Sequence, residues 1–176
     1  MIDRDMIQNT LCGATQDVFS TMLGMEIKPG EAYVERNPSA STDGVVSLIG
    51  LAGSWSGTGS IACSAELACK ICSQLLMAEF PAVNPEVLDA LAEVTNMIIG
   101  NFKTVVEERL GPMGLSIPTV IFGKNFTTRS VSNEEWMIVP FLCGEERLVV
   151  KVCLARSKVQ HRPVRPGFPS PYSVQG

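Results

Sequence analysis

Asp89, Glu93, Asn96 and Gly100 follow one another at steps of four, three and four residues, the spacing that lines side chains along one face of an α-helix. The stripe sets a carboxylate and a carboxamide side by side. The carboxylate can pair with a cation. The carboxamide both donates and accepts hydrogen bonds while carrying no charge. Gly100 leaves open space one turn beyond Asn96. A glycine inside a helix costs roughly 1 kcal/mol against alanine, so its presence points to something that passes or packs closely there. On spacing alone such a stripe is most often a solvated polar face, and the rest of the chain has to decide.

Two other patterns could do chemistry. Cys69-Lys70-Ile71-Cys72 has the redox CxxC spacing, within a set of six cysteines (Cys12, Cys63, Cys69, Cys72, Cys143 and Cys153). A redox pair sits at a helix N-terminus, where the dipole lowers the thiol pKa. Here the pair falls more than a turn inside a predicted helix. A structural zinc site needs two further ligands, and the single histidine, His161, stands far off in the C-terminal segment. These cysteines therefore read as core packing, and no metal site is expected. The second pattern, Gly53-Ser54-Trp55-Ser56-Gly57-Thr58-Gly59, is glycine-rich. A phosphate cradle has to end on the N–H groups of a helix. This one leads into a strand and reads as a turn followed by a bulged strand.

The elements that position the stripe follow from apolar periodicity. Ile7, Leu11, Ala14, Val18 and Met22 recur at helical spacing, predicting a helix over 2–23 that stops at Gly24. Short apolar runs predict strands over 32–35, 45–51 and 55–63. Ser64 caps a helix running to about residue 78, with Glu66 in its first turn. Asn84 caps the next, with Pro85 at its first position, and that helix runs to Leu110 before Gly111-Pro112 ends it. On it, Leu88, Leu91, Ala92, Thr95, Ile99, Phe102 and Val106 mark the buried face. The stripe of Asp89, Glu93, Asn96 and Gly100 lies roughly 110° around the helix from them. Strands follow over 116–122, 136–142 and 148–155, with Gly144-Glu145-Glu146 as a hairpin turn. The order implies an α+β domain over 1–157, with long helices grouped on a largely antiparallel sheet. Pro163, Pro166, Pro169 and Pro171 mark 158–176 as a proline-rich, disordered or loosely attached tail.

Composition narrows the class. Of 176 residues, 45% are hydrophobic and 18% charged, a globular balance with enough apolar content for a real core. A net charge of -4 argues against nucleic acid as a partner, because phosphate binding needs a basic face. The basic residues of the tail region, Lys151, Arg156, Lys158, Arg162 and Arg165, read as solvated. No apolar run approaches the ~20 residues that span a bilayer, and Met1 to Met6 lacks the marks of a secretory signal. The expectation is a cytoplasmic protein.

The order of these pieces resembles a known family. Asp89-x3-Glu93-x2-Asn96, a helix end, and then Leu115-Ser116-Ile117-Pro118-Thr119-Val120 are similar to the signature of the CheC, FliY and CheX chemotaxis phosphatases. Gln8-Asn9-Thr10-Leu11 through Met22-Leu23-Gly24-Met25-Glu26 looks like the opening helix of CheX. Gly57-Thr58-Gly59-Ser60-Ile61 followed by Ser64, with Ala68 and Ile71 beyond it, fits the family's strand-to-helix step. The resemblance covers residues 5 to 155. Asn9 and Gly13 echo Asn96 and Gly100, but Met6 stands where the motif needs a glutamate. One motif per chain is similar to CheX rather than to the two-site CheC.

The resemblance implies a phosphatase for a phosphorylated CheY-like receiver, with Glu93 and Asn96 catalytic. Asn96 would orient the attacking water, and Glu93 would pair with the receiver's phosphate-binding lysine. Asp89, Met97 and Gly100 would meet the partner, Met97 from the exposed side, and Pro118 would be structural. No cofactor of its own is implied, since the Mg2+ belongs to the receiver. CheX-type members pair through their sheets, so a homodimer is implied. The alternative reading keeps the same docking face without catalysis, as an adaptor that recognises the phosphorylated receiver.

Overall fold

The structure is a computed structural model that describes residues 3–130 and 133–158. Its first helix, α1 (Arg4–Met22), starts where the Asp3 side chain accepts the N–H groups of Asp5 and Met6 and ends before Gly24, whose φ of 60° continues no helix. Two short strands, β1 (Lys28–Pro29) and β2 (Tyr33–Arg36), lead into a long pair, β3 (Ser39–Gly53) and β4 (Trp55–Cys63). Then come α2 (Ala65–Leu76) and α3 (Pro85–Leu110), and the chain finishes with β5 (Met113–Leu115), β6 (Thr119–Arg129), β7 (Glu135–Cys143) and β8 (Glu146–Arg156). The expected α+β arrangement is therefore the observed one.

The strands form one sheet in the order β1-β7-β8-β4-β3-β5, with β2 also on β7 and β6 also on β3. Every pairing within it is antiparallel. Burial alternates along β8 from Leu148 to Val152, as it must when one face packs on helices, whereas β7 is buried without a break from Trp136 to Val139 because Trp136 and Ile138 cluster with Cys153 apart from the main core. Met137, Val139 and Phe141 of β7, with Leu148, Val150 and Val152 of β8, point into the main core. There they meet Ile7, Leu11, Val18 and Phe19 of α1, Leu67 and Ile71 of α2, and the inner side of α3. Among the described residues no helix is long and apolar enough to cross a membrane.

The glycine-rich segment is a turn, as expected, but not a bulged strand. β4 holds an unbroken register with β3 from Gly57 to Cys63 and with β8 from Trp55 to Cys63. Its glycines serve close packing instead. A β-carbon on Gly57 would fall 1.9 Å from the Cys153 carbonyl oxygen, and one on Gly59 would fall 2.7 Å from Ile99 Cδ1. The bulge lies elsewhere, between Thr42 and Gly44 of β3 opposite β6. Gly44 has φ of 144°, and a β-carbon there would strike the Cys63 carbonyl oxygen at 2.3 Å.

Two strands are longer than their apolar runs. β3 begins at Ser39 and β6 continues to Arg129, the two pairing as a polar ribbon beyond the helices. The β5–β6 segment breaks at Ser116–Pro118, where a single strand is predicted. All six cysteines are free thiols. Cys72 is buried and its Sγ donates to the Glu86 carbonyl, while burial pushes the Cys69 and Cys72 thiols up from their ordinary values. The tail residues from 159 onward, with His161 and the four prolines, lie outside the described residues.

Candidate functional site

α3 is pinned at both ends. Asn84 Oδ1 accepts the Val87 N–H at 2.9 Å, Pro85 occupies the first turn, and Gly111, with φ of 86°, donates its N–H to the Glu107 carbonyl at 2.9 Å. Between these caps the inner side carries Val87, Ala90, Leu91, Val94, Thr95, Ile98, Ile99, Phe102 and Val106, all buried. Thr95 satisfies its hydroxyl locally by donating to the Leu91 carbonyl at 2.6 Å. The helix is thereby fixed in rotation on the sheet.

The buried arc differs from the expected one. Leu88 and Ala92 are only half-buried, whereas Val87, Ala90, Val94 and Ile98, absent from the expected face, are buried. The arc's centre shifts accordingly. At 100° per residue the stripe of Asp89, Glu93, Asn96 and Gly100 lies roughly opposite it, not at its edge. Asp89, Glu93 and Asn96 are exposed, and Gly100 is partly so. Among the described residues the side chains of Asp89, Glu93 and Asn96 make no hydrogen bond or ion pair. Their donors and acceptors are therefore free for a partner.

Met97 departs from its expected placement. It is half-buried and packs against the main core, so it presents only part of its side chain to solvent. Gly100 matches the expected open space: a β-carbon there would lie 3.8 Å from Leu115 Cδ1, an ordinary contact, so nothing in the fold excludes alanine. Asn9 is exposed on α1, but Met6, at the position that the motif gives to glutamate, packs on the core.

The stripe continues down the helix into a structural contact. Glu107 Oε1 accepts from Lys103 Nζ at 2.9 Å and from the Met113 N–H at 2.7 Å. The hydrogen bond from Lys103 first, and that from Met113 second, hold the Glu107 carboxyl below the usual range. This contact ties β5 to the side of α3 and draws Leu115 up beside Gly100. Ser116 then donates its N–H to the Gly50 carbonyl, and its Oγ accepts the Gly50 N–H at 2.8 Å. Ile117 follows with 90% of its surface exposed. Nothing in the sequence pattern singles out Ile117, because residues 116–122 read as one uniform strand. Among the described residues no group of three or more His, Cys, Asp or Glu side chains is placed to hold a metal ion. The unengaged polar side chains of the stripe are the carboxylates of Asp89 and Glu93 and the carboxamide of Asn96.

Comparison with known proteins bears on what that face serves. Residues 45–142 match the family model described as chemotaxis phosphatase CheX. A chemotaxis protein of Desulfovibrio vulgaris Hildenborough shares 30% identity, with 85% of this chain and 96% of that chain covered and a TM-score of 0.78. The chemotaxis protein CheX of Vibrio vulnificus shares 27% identity over 85% of this chain and 99% of that one, with a TM-score of 0.77. A third similar structure is the CheX-CheY-BeF3-Mg2+ complex of Borrelia burgdorferi, at 28% identity, 89% and 100% coverage and a TM-score of 0.73. No curated protein sequence matches the chain.

Proposed function

The chain belongs to the CheC/CheX/FliY family of chemotaxis phosphatases, and from that membership we propose that it hydrolyses the aspartyl phosphate of a CheY-like receiver protein, with Asn96 and Glu93 as the working pair. One observation carries the assignment to residues. Glu93 and Asn96 stand exposed and unengaged within one turn of a helix whose opposite side is locked into the core.

An aspartyl phosphate already hydrolyses slowly in its receiver. Water attacks phosphorus, the bond to the acyl oxygen breaks, and inorganic phosphate and the free carboxylate result. The phosphatase needs no nucleophile of its own. It has to hold the water in line with the leaving oxygen and complete the charge arrangement. Asn96 suits this task because its carboxamide accepts from and donates to the water yet stays neutral beside the phosphoryl group. A carboxylate in that place would be repelled. Glu93, one turn away, meets the receiver's phosphate-binding lysine, and the rigid helix fixes the two roles relative to each other. Asp89 adds negative charge to the same docking face, Gly100 admits the partner's surface, and the exposed part of Met97 lies at the margin. The divalent ion belongs to the receiver, as the Mg2+ named with the Borrelia complex supports.

The test is phosphate release from phosphorylated receivers of the same organism, comparing wild type with Asn96→Ala under a circular dichroism control on folding. Asn96 is exposed, so the variant should fold normally. A folded variant that hydrolyses as fast as wild type would overturn the assignment to Asn96. Wild-type protein that binds a phosphorylated receiver without releasing phosphate would make the chain an adaptor.

A further inference from the structure

Ile117 is a β-branched apolar side chain held out in solvent. Two features fix it there. Ser116 is tied to Gly50 through both backbone and side chain, its Oγ also donating to the Ile117 carbonyl at 3.1 Å. Pro118 follows, with a locked φ. The ladder with β3 explains the outward turn. Leu115 pairs with Leu51 and Thr119 with Leu48, so four steps of the edge segment span three of β3. The extra residue is accommodated at Ser116–Pro118 as a bulge, a device that re-aims a side chain. Exposed apolar side chains are ordinary when they stand singly on mobile surface. One clamped on both sides has already lost much of the freedom that binding would cost it.

Its position along α3 matters more than its exposure. Leu115 lies beside Gly100, and the edge segment runs from there back toward the start of the helix, since Phe122 lines a groove with Val83. Ser116 lies opposite Gly50 and Thr119 opposite Leu48, which leaves Ile117 and Pro118 beside Ile49, two β3 residues beyond Leu51. A strand advances about 3.3 Å per residue and a helix about 1.5 Å, so those two steps correspond to roughly one helical turn back from Gly100. That step carries the edge from Gly100 toward Asn96. The side chains of the stripe and the bulge therefore flank the shallow trough where Leu115 meets the bare backbone of Gly100. The fold does not need a glycine at that position, which leaves the trough itself as its use.

We infer that Ile117 is the apolar docking contact of the phosphatase face, taking an apolar side chain of the receiver beside its phosphorylation site, and so helps choose which receiver is served. The inference rests on the proposed phosphatase reading and extends the same face by continuity. Glu93 and Asn96 address the charged phosphorylation site itself. Ile117 addresses the surface beside it. Its contribution belongs to binding, because it approaches no reacting atom.

The experiment uses the full chain and a panel of response-regulator receivers from the same organism, phosphorylated with acetyl phosphate. Steady-state phosphate release is measured for wild type, Ile117→Ser, Ile117→Lys, Ile117→Val and the control Ile121→Ser. Ile121 lies on the same edge segment and is 38% exposed. For the preferred receiver, Ile117→Ser and Ile117→Lys should raise KM by about tenfold or more, the scale of losing one buried aliphatic contact. Their kcat should stay within about threefold of wild type, and the preference among receivers should flatten. Ile117→Val and Ile121→Ser should behave as wild type. An unchanged KM in both disruptive variants, or a fall in kcat alone, would overturn the inference while leaving the phosphatase reading intact. Wild-type protein inactive on the whole panel would instead overturn that reading, and this inference with it.

Discussion

Gly100 and Leu115 face each other across the gap between α3 and β5, and a β-carbon added to the glycine would rest 3.8 Å from Leu115 Cδ1. An alanine fits that space without displacing anything. Replacing a helix-interior glycine by alanine typically stabilises by roughly 0.5–1 kcal/mol. Gly100→Ala is accordingly expected to raise the melting temperature. It should also raise KM for the phosphorylated receiver, because the added methyl group narrows the trough beside Asn96. Thermal denaturation and steady-state kinetics on the same preparation check both. A gain in stability with an unchanged KM would show that the partner does not enter there.

Gly59 and Ile99 make the opposite case. A β-carbon on Gly59 would come within 2.7 Å of both Cγ1 and Cδ1 of Ile99, which is fully buried on the inner side of α3. Gly59→Ala should destabilise by about 1–3 kcal/mol through overpacking. Trimming the neighbour should recover part of this, so Gly59→Ala with Ile99→Val is expected to be less destabilising than the sum of the single changes. Denaturant melts of the four proteins in the cycle give the coupling. Strict additivity would mean that the contact is relieved by movement elsewhere.

These two glycines also mark what the sequence could and could not convey. The apolar repeat of Leu11, Val18, Leu91, Phe102 and Val106 is local information, and the helices it predicts are present. So is the step of Asp89, Glu93, Asn96 and Gly100, because residues on one helix need no partner element to be aligned. The roles of Gly57 and Gly59 depend on β8 and α3, which are distant in the chain, so a glycine-rich stretch invited a bulge that is absent. The rotation of α3 is not legible in its own periodicity for a related reason. Val87, Val94 and Ile98 fit a broad buried arc only once α1 and the sheet are both packed against the helix. The polar ends of β3 and β6 carry no apolar alternation, so only their mutual pairing reveals them. Ile117 was hidden most fully: its exposure comes from a bulge relative to β3, and a register mismatch leaves no mark in the segment's own composition.

Glu107 gives a prediction about pH. Its carboxyl is held below the ordinary range by Lys103 and by the Met113 N–H. A carboxyl with a depressed folded-state pKa contributes stability that is fully present above the unfolded value and is lost as pH falls through the folded one. Wild type should therefore lose stability on the acid side of the ordinary glutamate range, partly through this group. Glu107→Gln keeps an acceptor for Met113 but loses the charge. It should be less stable at neutral pH and approach wild type in acid. Urea midpoints across the acid range test this, and parallel curves would exclude Glu107 as a contributor.

The chain up to Ser157 is expected to suffice for activity. The members of the main core lie between Ile7 and Val152, and β8 is tied down at its end by Arg156 over the Trp55 ring and by the Ser157 N–H on the Ser54 carbonyl. If the full chain is the homodimer that the family resemblance implies, removing residues 158–176 should leave that dimer and its phosphate release unchanged. Light scattering and kinetics on the truncated protein decide it. A monomer after truncation would assign the tail a part in assembly.

Glu93 and Asn96 should fail in different ways when each is cut to alanine. Both are exposed and unengaged, so neither change opens a cavity or strands a buried partner, and the melting temperature should barely move. In the proposed mechanism Asn96 acts on the attacking water, an interaction realised mainly in the transition state. Asn96→Ala should lower kcat by about a hundredfold or more, the scale on which a positioned catalytic group works, with little change in receiver affinity. In the same mechanism Glu93 meets a charge that is present from first encounter. Glu93→Ala should weaken docking as well as rate. Because the pair forms between exposed groups, raised salt should bring wild-type affinity down toward that of the variant. The measurements are receiver binding with a phosphoryl mimic at low and high salt, and single-turnover phosphate release. If Glu93→Ala lowers only the rate and its affinity follows wild type at every salt concentration, then Glu93 acts on the reacting group and the receiver lysine is bound by another residue, of which Asp89 is the nearest on the stripe.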